Sequence, residues 1–270
     1  MKLTTRILLG LFILMIAGLL VSNMVLKKQY NAIDKSDLYW TYNKVLEKPF
    51  KHLNITGGNG TNIFFEQSNK PSVRLSQEWV AYHHGSIKAE IRNDTLFLVF
   101  NYMPANLFEK FYLQNAAPVR IFSPELLSVT GVNTNFEMQR LKQKNITVNI
   151  SGRSKFEVES MFPEMDSIDV TQSDSSAVVF EMSPDYRKHS APNQQEEKIA
   201  FHNAEDMEVA YKDPKDAFDE AMSFNAVTAK ISGHSILDIG HAQVKNFSLN
   251  VSDSSAIVLS GTALRLTKQH

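Results

Sequence analysis

The chain of 270 residues carries 28 basic and 29 acidic side chains, so its formal net charge is −1. This balance leaves no basic excess for a phosphate backbone, and aromatic residues are not interleaved with Lys or Arg, which argues against a nucleic-acid partner. The chain has no cysteine, which excludes disulfides and a lipid-modified cysteine.

The chain begins with an apolar segment at Ile7–Leu26 that contains no charged residue. A helix of about twenty residues, rising about 1.5 Å each, matches the hydrocarbon core of a bilayer. We therefore predict a transmembrane helix through residues 7–26. Basic residues stand on both sides of this segment, so the positive-inside rule decides little: Lys2, Arg6, Lys27, Lys28.

A cleaved secretory signal is the alternative reading of this segment. Its best cleavage site would be Ile16-Ala17-Gly18, but a cut there would leave the apolar stretch LLVSNMVL as the new terminus. We therefore predict that residues 1–28 form an uncleaved signal-anchor in the cytoplasmic membrane. The long domain that follows is expected on the extracytoplasmic, periplasmic side.

Residues 29–49 are predicted to form a juxtamembrane stalk with a short helix. Ser36 is a candidate N-cap, aromatic residues lie close to the membrane, and Pro49 ends the segment. From Phe50 the pattern changes to alternating strands, beginning with a hairpin around the turn TGGNG. The stretch PSVRLSQEWV at residues 71–80 is predicted as a strand, and Asn93-Asp94 as a turn between two further strands.

A repeated pattern organises the second half of the chain. In the stretch NFSLNVSDSSAIVLSG, alternating apolar residues flank a polar turn that begins at Ser252, and the same frame fits at Ser151, Ser173 and Ser232. Looser copies surround Thr130 and Ala204. The spacing predicts a period of about 20 residues, which is typical of stacked repeats. In this register Ile150, Ile231 and Val251 fall in one column.

We therefore predict an all-β fold for residues 50–270: a single-stranded, right-handed β-solenoid with coils of about 20 residues, behind the N-terminal transmembrane helix. Two short strands and a turn cannot bury their own apolar face, whereas stacked neighbours form a continuous core. Two inserts of about ten residues interrupt the period, one between Ser173 and Ala204 and one between Ala204 and Ser232.

The order of these features resembles the head GIN domain of proposed auto-transporter adhesins, a bacterial envelope family, over residues 50–266. The resemblance lies in the opening hairpin, the strand NDTLFLVF, the segment IFSPELLSV and the repeated S-G-x-S and S-D-S-S turns. It implies a β-solenoid behind a signal or anchor, with no established catalysis. The chain departs from the family pattern in two inserts, at residues 101–117 and 183–198.

The Ser, Asp and Asn residues of the turns invite a catalytic reading. A nucleophile is needed once, however, and these residues recur in every repeat, so we interpret them as side chains that close turns by bonding to the backbone. A sugar-binding edge is the alternative.

The histidines and carboxylates are interpreted in the same way. His83-His84 and the pair His234 and His241 lack the converging ligands of a metal site, and the acidic run from Asp213 to Glu220 fits the first turn of an insert helix at residues 213–223. We therefore predict no metal, no cofactor and no catalytic residue. N-x-S/T sequons follow from composition and are not read as glycosylated, among them Asn54, Asn59, Asn93, Asn145, Asn246 and Asn250.

The densest aromatic cluster beyond the anchor lies in LFLVFNYMPANLFEKFYL, at residues 96–113. It is predicted either to cap an open end of the fold or to form a partner or membrane-surface patch. Its six aromatic residues are Phe97, Phe100, Tyr102, Phe108, Phe111 and Tyr112.

These features predict a membrane-anchored binding, adhesion or structural module of the cell envelope that is not an enzyme. Its expected partner is an envelope protein or glycan. The alternative is a carbohydrate-active enzyme on a β-helix scaffold, which would need carboxylates converging on one face. Fold alone does not decide between them.

Overall fold

A computed structural model describes residues 3–102, 109, 113, 116–139, 143–159, 166–181, 223–240, 242–252 and 254–259. The chain divides into two compact units, Met1–Asn43 and Lys44–His270. The first unit consists mainly of a helix, and the second is built from strands.

Helix α1 spans Leu3–Ala32. Its most apolar window has a mean hydropathy of 2.4, and none of that window is buried against other parts of the protein. By length and composition α1 is therefore suited to cross a membrane, although a signal sequence would meet the same criteria.

The predicted helical stalk is wrong, because α1 ends at Ala32 and turns follow it. The Asp34 carboxylate accepts a hydrogen bond from the Ser36 backbone N–H at 3.0 Å, and Asp37 does the same for Tyr39 at 3.0 Å. Such local side-chain bonds compete with helical hydrogen bonds. A strand, β1, then spans Tyr42–Leu46.

The other described elements are one short helix and sixteen strands. They are β2 His52–Thr56, β3 Ile63–Gln67, β4 Ser72–Ser76, α2 Gln77–Tyr82, β5 Ile87–Arg92, β6 Thr95–Phe100, β7 Val119–Ser123, β8 Ser128–Val132, β9 Asn135–Gln139, β10 Asn145–Ser151, β11 Lys155–Glu159, β12 Ser167–Gln172, β13 Ala177–Glu181, β14 Ser223–Ile231, β15 Ile236–Gly240, β16 Gln243–Val251 and β17 Ala256–Leu259.

The strands form two large mixed sheets. The nine-stranded sheet has the order β1-β4-β7-β3-β9-β11-β13-β15-β17, and the eight-stranded sheet has the order β16-β14-β12-β10-β8-β2-β6-β5. Most neighbours are parallel, but β4 pairs with β7, and β5 with β6, in antiparallel fashion.

The predicted single-stranded, right-handed β-solenoid is therefore wrong. A solenoid stacks its coils in chain order, whereas here β2 lies between β6 and β8, and β3 lies between β7 and β9. One physical cause is local: Asn93 and Asp94 adopt φ angles of 46° and 58°, as a two-residue hairpin turn requires, so β5 and β6 pair as neighbours.

The predicted alignment of Ile150, Ile231 and Val251 is confirmed by the strand register. Ile150 pairs with Gln172, Gln172 with Ile231, and Ile231 with Val251. Ile150, Gln172 and Ile231 are buried, whereas Val251 is only partly buried because β16 is the outermost strand of its sheet. The Gln172 side-chain amide donates to the Ile236 carbonyl at 3.0 Å, which gives this buried polar group one partner.

The inward-facing residues of the two sheets form the core. Alternate residues of each strand face inward, and in-register pairing places like residues beside each other, as with the rings of Phe136 and Phe156, whose centroids are 5.7 Å apart. Leu53, Val129 and Val148 form one such buried column in the eight-stranded sheet. The core thus depends on which strands are neighbours.

We predict that Leu53→Ala lowers the free energy of unfolding by about 2–5 kcal/mol, since it leaves a cavity at a site that is 1% exposed. The matched control is Leu249→Ala, in the same core-facing register but 38% exposed, where the loss should be about 1 kcal/mol or less. Denaturant unfolding of the full chain in detergent measures both. Equal losses at the two sites would contradict the assignment of the core.

Candidate binding surfaces

The repeated turns contain buried hydroxyl groups that bond to the backbone. The Ser154 hydroxyl donates to the Ser151 carbonyl at 2.6 Å, and the Ser176 hydroxyl donates to the Ser173 carbonyl at 3.0 Å. Ser154, Ser176 and Ser235 are each less than 5% exposed. These side chains close turns, as the sequence predicts, and are not presented to a ligand.

The turns that begin at Ser151, Ser173 and Ser232 share a left-handed backbone conformation at their second residue. Gly152, Asp174 and Gly233 have φ angles of 68°, 66° and 69°. Asp174 also accepts a hydrogen bond from the Gly152 backbone N–H at 2.9 Å, which links adjacent turns. Gly and Asp occupy the same place because glycine tolerates positive φ and a short polar side chain compensates for it.

We predict that Gly233→Ala is more destabilising than Gly85→Ala. Both glycines have positive φ, which should cost about 1 kcal/mol on substitution. A Cβ at Gly233 would also lie 2.6 Å from the Asp174 carbonyl oxygen, whereas Gly85 has no atom within 4 Å of that place. The additional overpacking cost is about 1–3 kcal/mol, read from denaturant unfolding. Equal effects would contradict close contact between adjacent turns.

The predicted aromatic patch is only partly described, because Phe108, Phe111 and Tyr112 lie outside the described residues. Phe97 faces outward from β6, where the Arg92 guanidinium lies 4.5 Å from its ring centroid. Phe100, three residues along the same strand, is buried in the core. Strand alternation therefore directs these two rings to opposite faces, and they do not form one surface.

Tyr102 belongs to a different aromatic cluster, with Trp79 and His83. The centroid of the Tyr102 ring is 5.4 Å from that of Trp79 and 4.3 Å from that of His83. Trp79 lies on α2, in a stretch predicted as a strand, and its indole N–H donates to the Ser86 hydroxyl at 2.9 Å. The signal for α2 was Ser76, whose hydroxyl accepts from the Trp79 backbone N–H as an N-cap.

The Tyr102 hydroxyl donates a hydrogen bond to the Glu109 carboxylate. The pKa of Tyr102 is raised from 10.0 to about 12. Burial is the largest cause, followed by the hydrogen bond to Glu109 and the negative charge of Glu109. The stabilisation linked to this neutral phenol is therefore fully present below pH 10.0 and is lost as the pH rises through about 12.

We predict that the phenolate absorbance difference between the parent and Tyr102→Phe has a midpoint near pH 12. Glu109→Gln should lower this midpoint, because it removes the negative charge that opposes ionisation. Tyr82→Phe, at a site that is 78% exposed, is the matched control. It should leave unchanged the absorbance change that accompanies ionisation of Tyr102. A midpoint for Tyr102 near 10.0 would contradict the contact.

The outward face of the eight-stranded sheet carries two rows of polar side chains, which we call the outer polar face. In-register pairing from β2 through β8, β10, β12 and β14 to β16 aligns both rows. The first row is His52, Ser128, Thr147, Asp169, Thr228, Ser248, and the second row is Asn54, Thr130, Asn149, Thr171, Lys230, Asn250.

Several of the sequons arise from this face. In N-x-S/T the two polar residues are separated by two positions, which is the side-chain period of a strand, so both face outward. Asn54, Asn145, Asn246 and Asn250 lie in strands of the eight-stranded sheet. Asn246 and Asn250 lie in β16, which pairs with β14, and both side chains are exposed. Their lack of glycosylation stays a prediction.

Metal-ligating residues do not cluster in the described part of the chain, where His, Asp and Glu form no group of three or more suited to an ion. His83, His84 and His234 are described, whereas His241 and the acidic run from Asp213 to Glu220 lie outside the described residues. The predicted insert helix at 213–223 also lies there, except for Ser223, which begins β14.

The fold and these surfaces define a mostly β protein with an N-terminal apolar helix and an exposed polar sheet face. It is similar in structure to a proposed adhesin of Bacteroides fragilis, with 11% identity, coverage of 80% of this chain and 95% of that one, and a TM-score of 0.38. A proposed lipid-binding protein of Parabacteroides distasonis has 12% identity, coverages of 82% and 94%, and a TM-score of 0.36.

A proposed adhesin of Parabacteroides merdae is a third similar structure, with 11% identity, coverages of 80% and 95%, and a TM-score of 0.27. No protein-family model and no curated protein matches the chain. The resemblance to the head GIN domain is therefore not confirmed by a family match. Likenesses at these identities and TM-scores carry no argument for function.

Proposed function

We propose that this chain is a membrane-anchored binding module of the cell envelope, with its β unit on the extracytoplasmic side. Helix α1 is the observation that carries this proposal. Its apolar side chains are largely exposed, for example 69% at Leu8 and 71% at Leu14. Soluble proteins rarely expose a continuous apolar surface of this size, and a bilayer would cover it.

The proposed orientation follows from the length of chain after the helix. Positive residues flank both ends of the apolar run, so the charges favour neither orientation strongly. Long domains that follow an apolar segment are translocated largely regardless of charge, which favours the β unit on the extracytoplasmic side and the residues before α1 in the cytoplasm.

The proposed role is binding rather than catalysis. The repeated serines, which would be the candidate nucleophiles, bond to their own turns. In the two rows of the outer polar face, Asp169 is the single carboxylate, whereas glycoside hydrolysis ordinarily needs a pair. The alternative of a carbohydrate-active enzyme also relied on a β-helix scaffold. The order of the strands in the two sheets differs from that scaffold.

Single-cysteine labelling tests the anchor and its orientation, because the chain has no cysteine of its own. We expect Tyr82→Cys, at a site that is 78% exposed, to react with a membrane-impermeant maleimide on intact spheroplasts. We expect Thr4→Cys, at the start of α1, to react only after the membrane is permeabilised. The chain should also remain in the membrane during a carbonate wash.

The cysteine-free parent is the control and should not react in either condition. Labelling of Tyr82→Cys only after permeabilisation would reverse the proposed orientation. Release of the chain into the carbonate supernatant would show that α1 does not anchor it.

A further inference from the structure

We propose that the outer polar face binds an uncharged polysaccharide. The inference deepens the proposed function and rests on it, since a glycan of the envelope would meet this face only outside the cytoplasm. It follows from four properties of the face: its unused hydrogen-bonding groups, its near-neutral charge, its lack of apolar anchors and its regular repetition.

Side chains of the outer polar face keep their hydrogen-bonding capacity for a ligand. Within the described part of the chain, Thr147, Thr171 and Asn149 make no side-chain hydrogen bond, although each carries a donor and an acceptor. One bond joins two members of the first row, His52 through Nδ1 and Ser128 through its hydroxyl, at 2.7 Å. The turn serines differ, because their hydroxyls are buried and already bonded.

The charge of the face favours an uncharged ligand. Lys230 and Asp169 are the one formal cation and the one formal anion in the two rows. A phosphate backbone or an acidic glycan is bound through several Lys or Arg side chains, and each contact makes binding depend on salt. This face offers hydroxyls and amides instead, which bind neutral hydroxyl groups by donating and accepting at once.

The rows do not have the composition of a protein or lipid interface. Protein interfaces depend on a few large anchors such as Trp, Tyr and Arg at their centre, and lipid contact requires apolar side chains. The twelve residues of the two rows include no Trp, Tyr, Arg, Leu, Ile, Val or Met. Phe97 adds one outward ring, on β6 beside Asn54 at the end of the second row.

The repetition of the face favours a polymer over a single sugar. Adjacent strands place equivalent side chains about 4.8 Å apart, so the same kind of hydrogen-bonding group recurs along each row. One hydrogen bond contributes little against water, about 0.5–1.5 kcal/mol, but a ligand with repeated hydroxyls would form many. Across β10 and β12, Thr147 and Asn149 pair with Asp169 and Thr171 in this way.

The test measures binding of cellohexaose to the full chain in a detergent without a sugar headgroup, by isothermal titration calorimetry. We expect the parent to bind, and the double variant Thr147→Val/Thr171→Val to bind at least about tenfold more weakly, since two hydrogen bonds are lost. Valine keeps the β-branched shape of threonine, so both strands should be retained. Thr41→Val is the matched control, because Thr41 is also exposed but lies outside the eight-stranded sheet.

Each outcome decides the proposal. Binding by the parent and by Thr41→Val, with loss in the double variant and an unchanged circular dichroism spectrum, supports it. The proposal is overturned if the parent binds neither cellohexaose nor a second neutral hexasaccharide, laminarihexaose. It is also overturned if the double variant binds as tightly as the parent. Tighter binding of an oligogalacturonate, or capture of a protein that Thr147→Val/Thr171→Val also abolishes, would assign the face to another ligand class and overturn it too.

The proposed function and this inference fail separately. Extracytoplasmic labelling of Tyr82→Cys without glycan binding overturns the inference alone. Glycan binding by a chain whose Tyr82→Cys is labelled only after permeabilisation overturns the proposed function.

Discussion

In-register pairing of parallel strands is the constraint on which both the core and the outer polar face depend. When β8 and β10 pair in register, Val129 meets Val148 on the inner side and Thr130 meets Asn149 on the outer side. The same hydrogen bonds therefore align the apolar column and the polar row, and a slip of one residue would exchange them. The buried column and the outer polar face are thus two consequences of one register.

The turns hold that register by engaging their polar groups. Ser151, Ser173 and Ser232 start turns whose hydroxyl and carboxylate groups bond to neighbouring backbone, as when Asp174 accepts from the Gly152 N–H of the adjacent turn. A buried hydroxyl without a partner would cost about 1–3 kcal/mol, so these bonds are a condition of stacking. Polar side chains in this chain consequently fall into two groups. Those of the turns bond to neighbouring backbone, whereas most of those on the outer polar face do not.

Local sequence patterns predicted the parts of the fold that local chemistry determines. The apolar run predicted α1, and Asn93 and Asp94 predicted a turn. The repeat predicted the column through Ile150 and Ile231. The order of the sheets was not predictable in this way. Strand β2 lies between β6 and β8, and that choice of neighbours depends on long-range pairing that no period in the sequence records.

The same limit explains why the sequence directed attention to aromatic residues rather than to the outer polar face. Density along the chain grouped Phe97 with Phe100, but a strand sends residues at odd spacing to opposite sides, so one ring is outward and the other is in the core. The outer polar face instead draws two residues from each of six strands, for example Thr147 and Asn149 from β10. Its members are unremarkable individually, and only the register brings them together. A polar surface of this kind becomes visible when residues are compared across strands rather than along them.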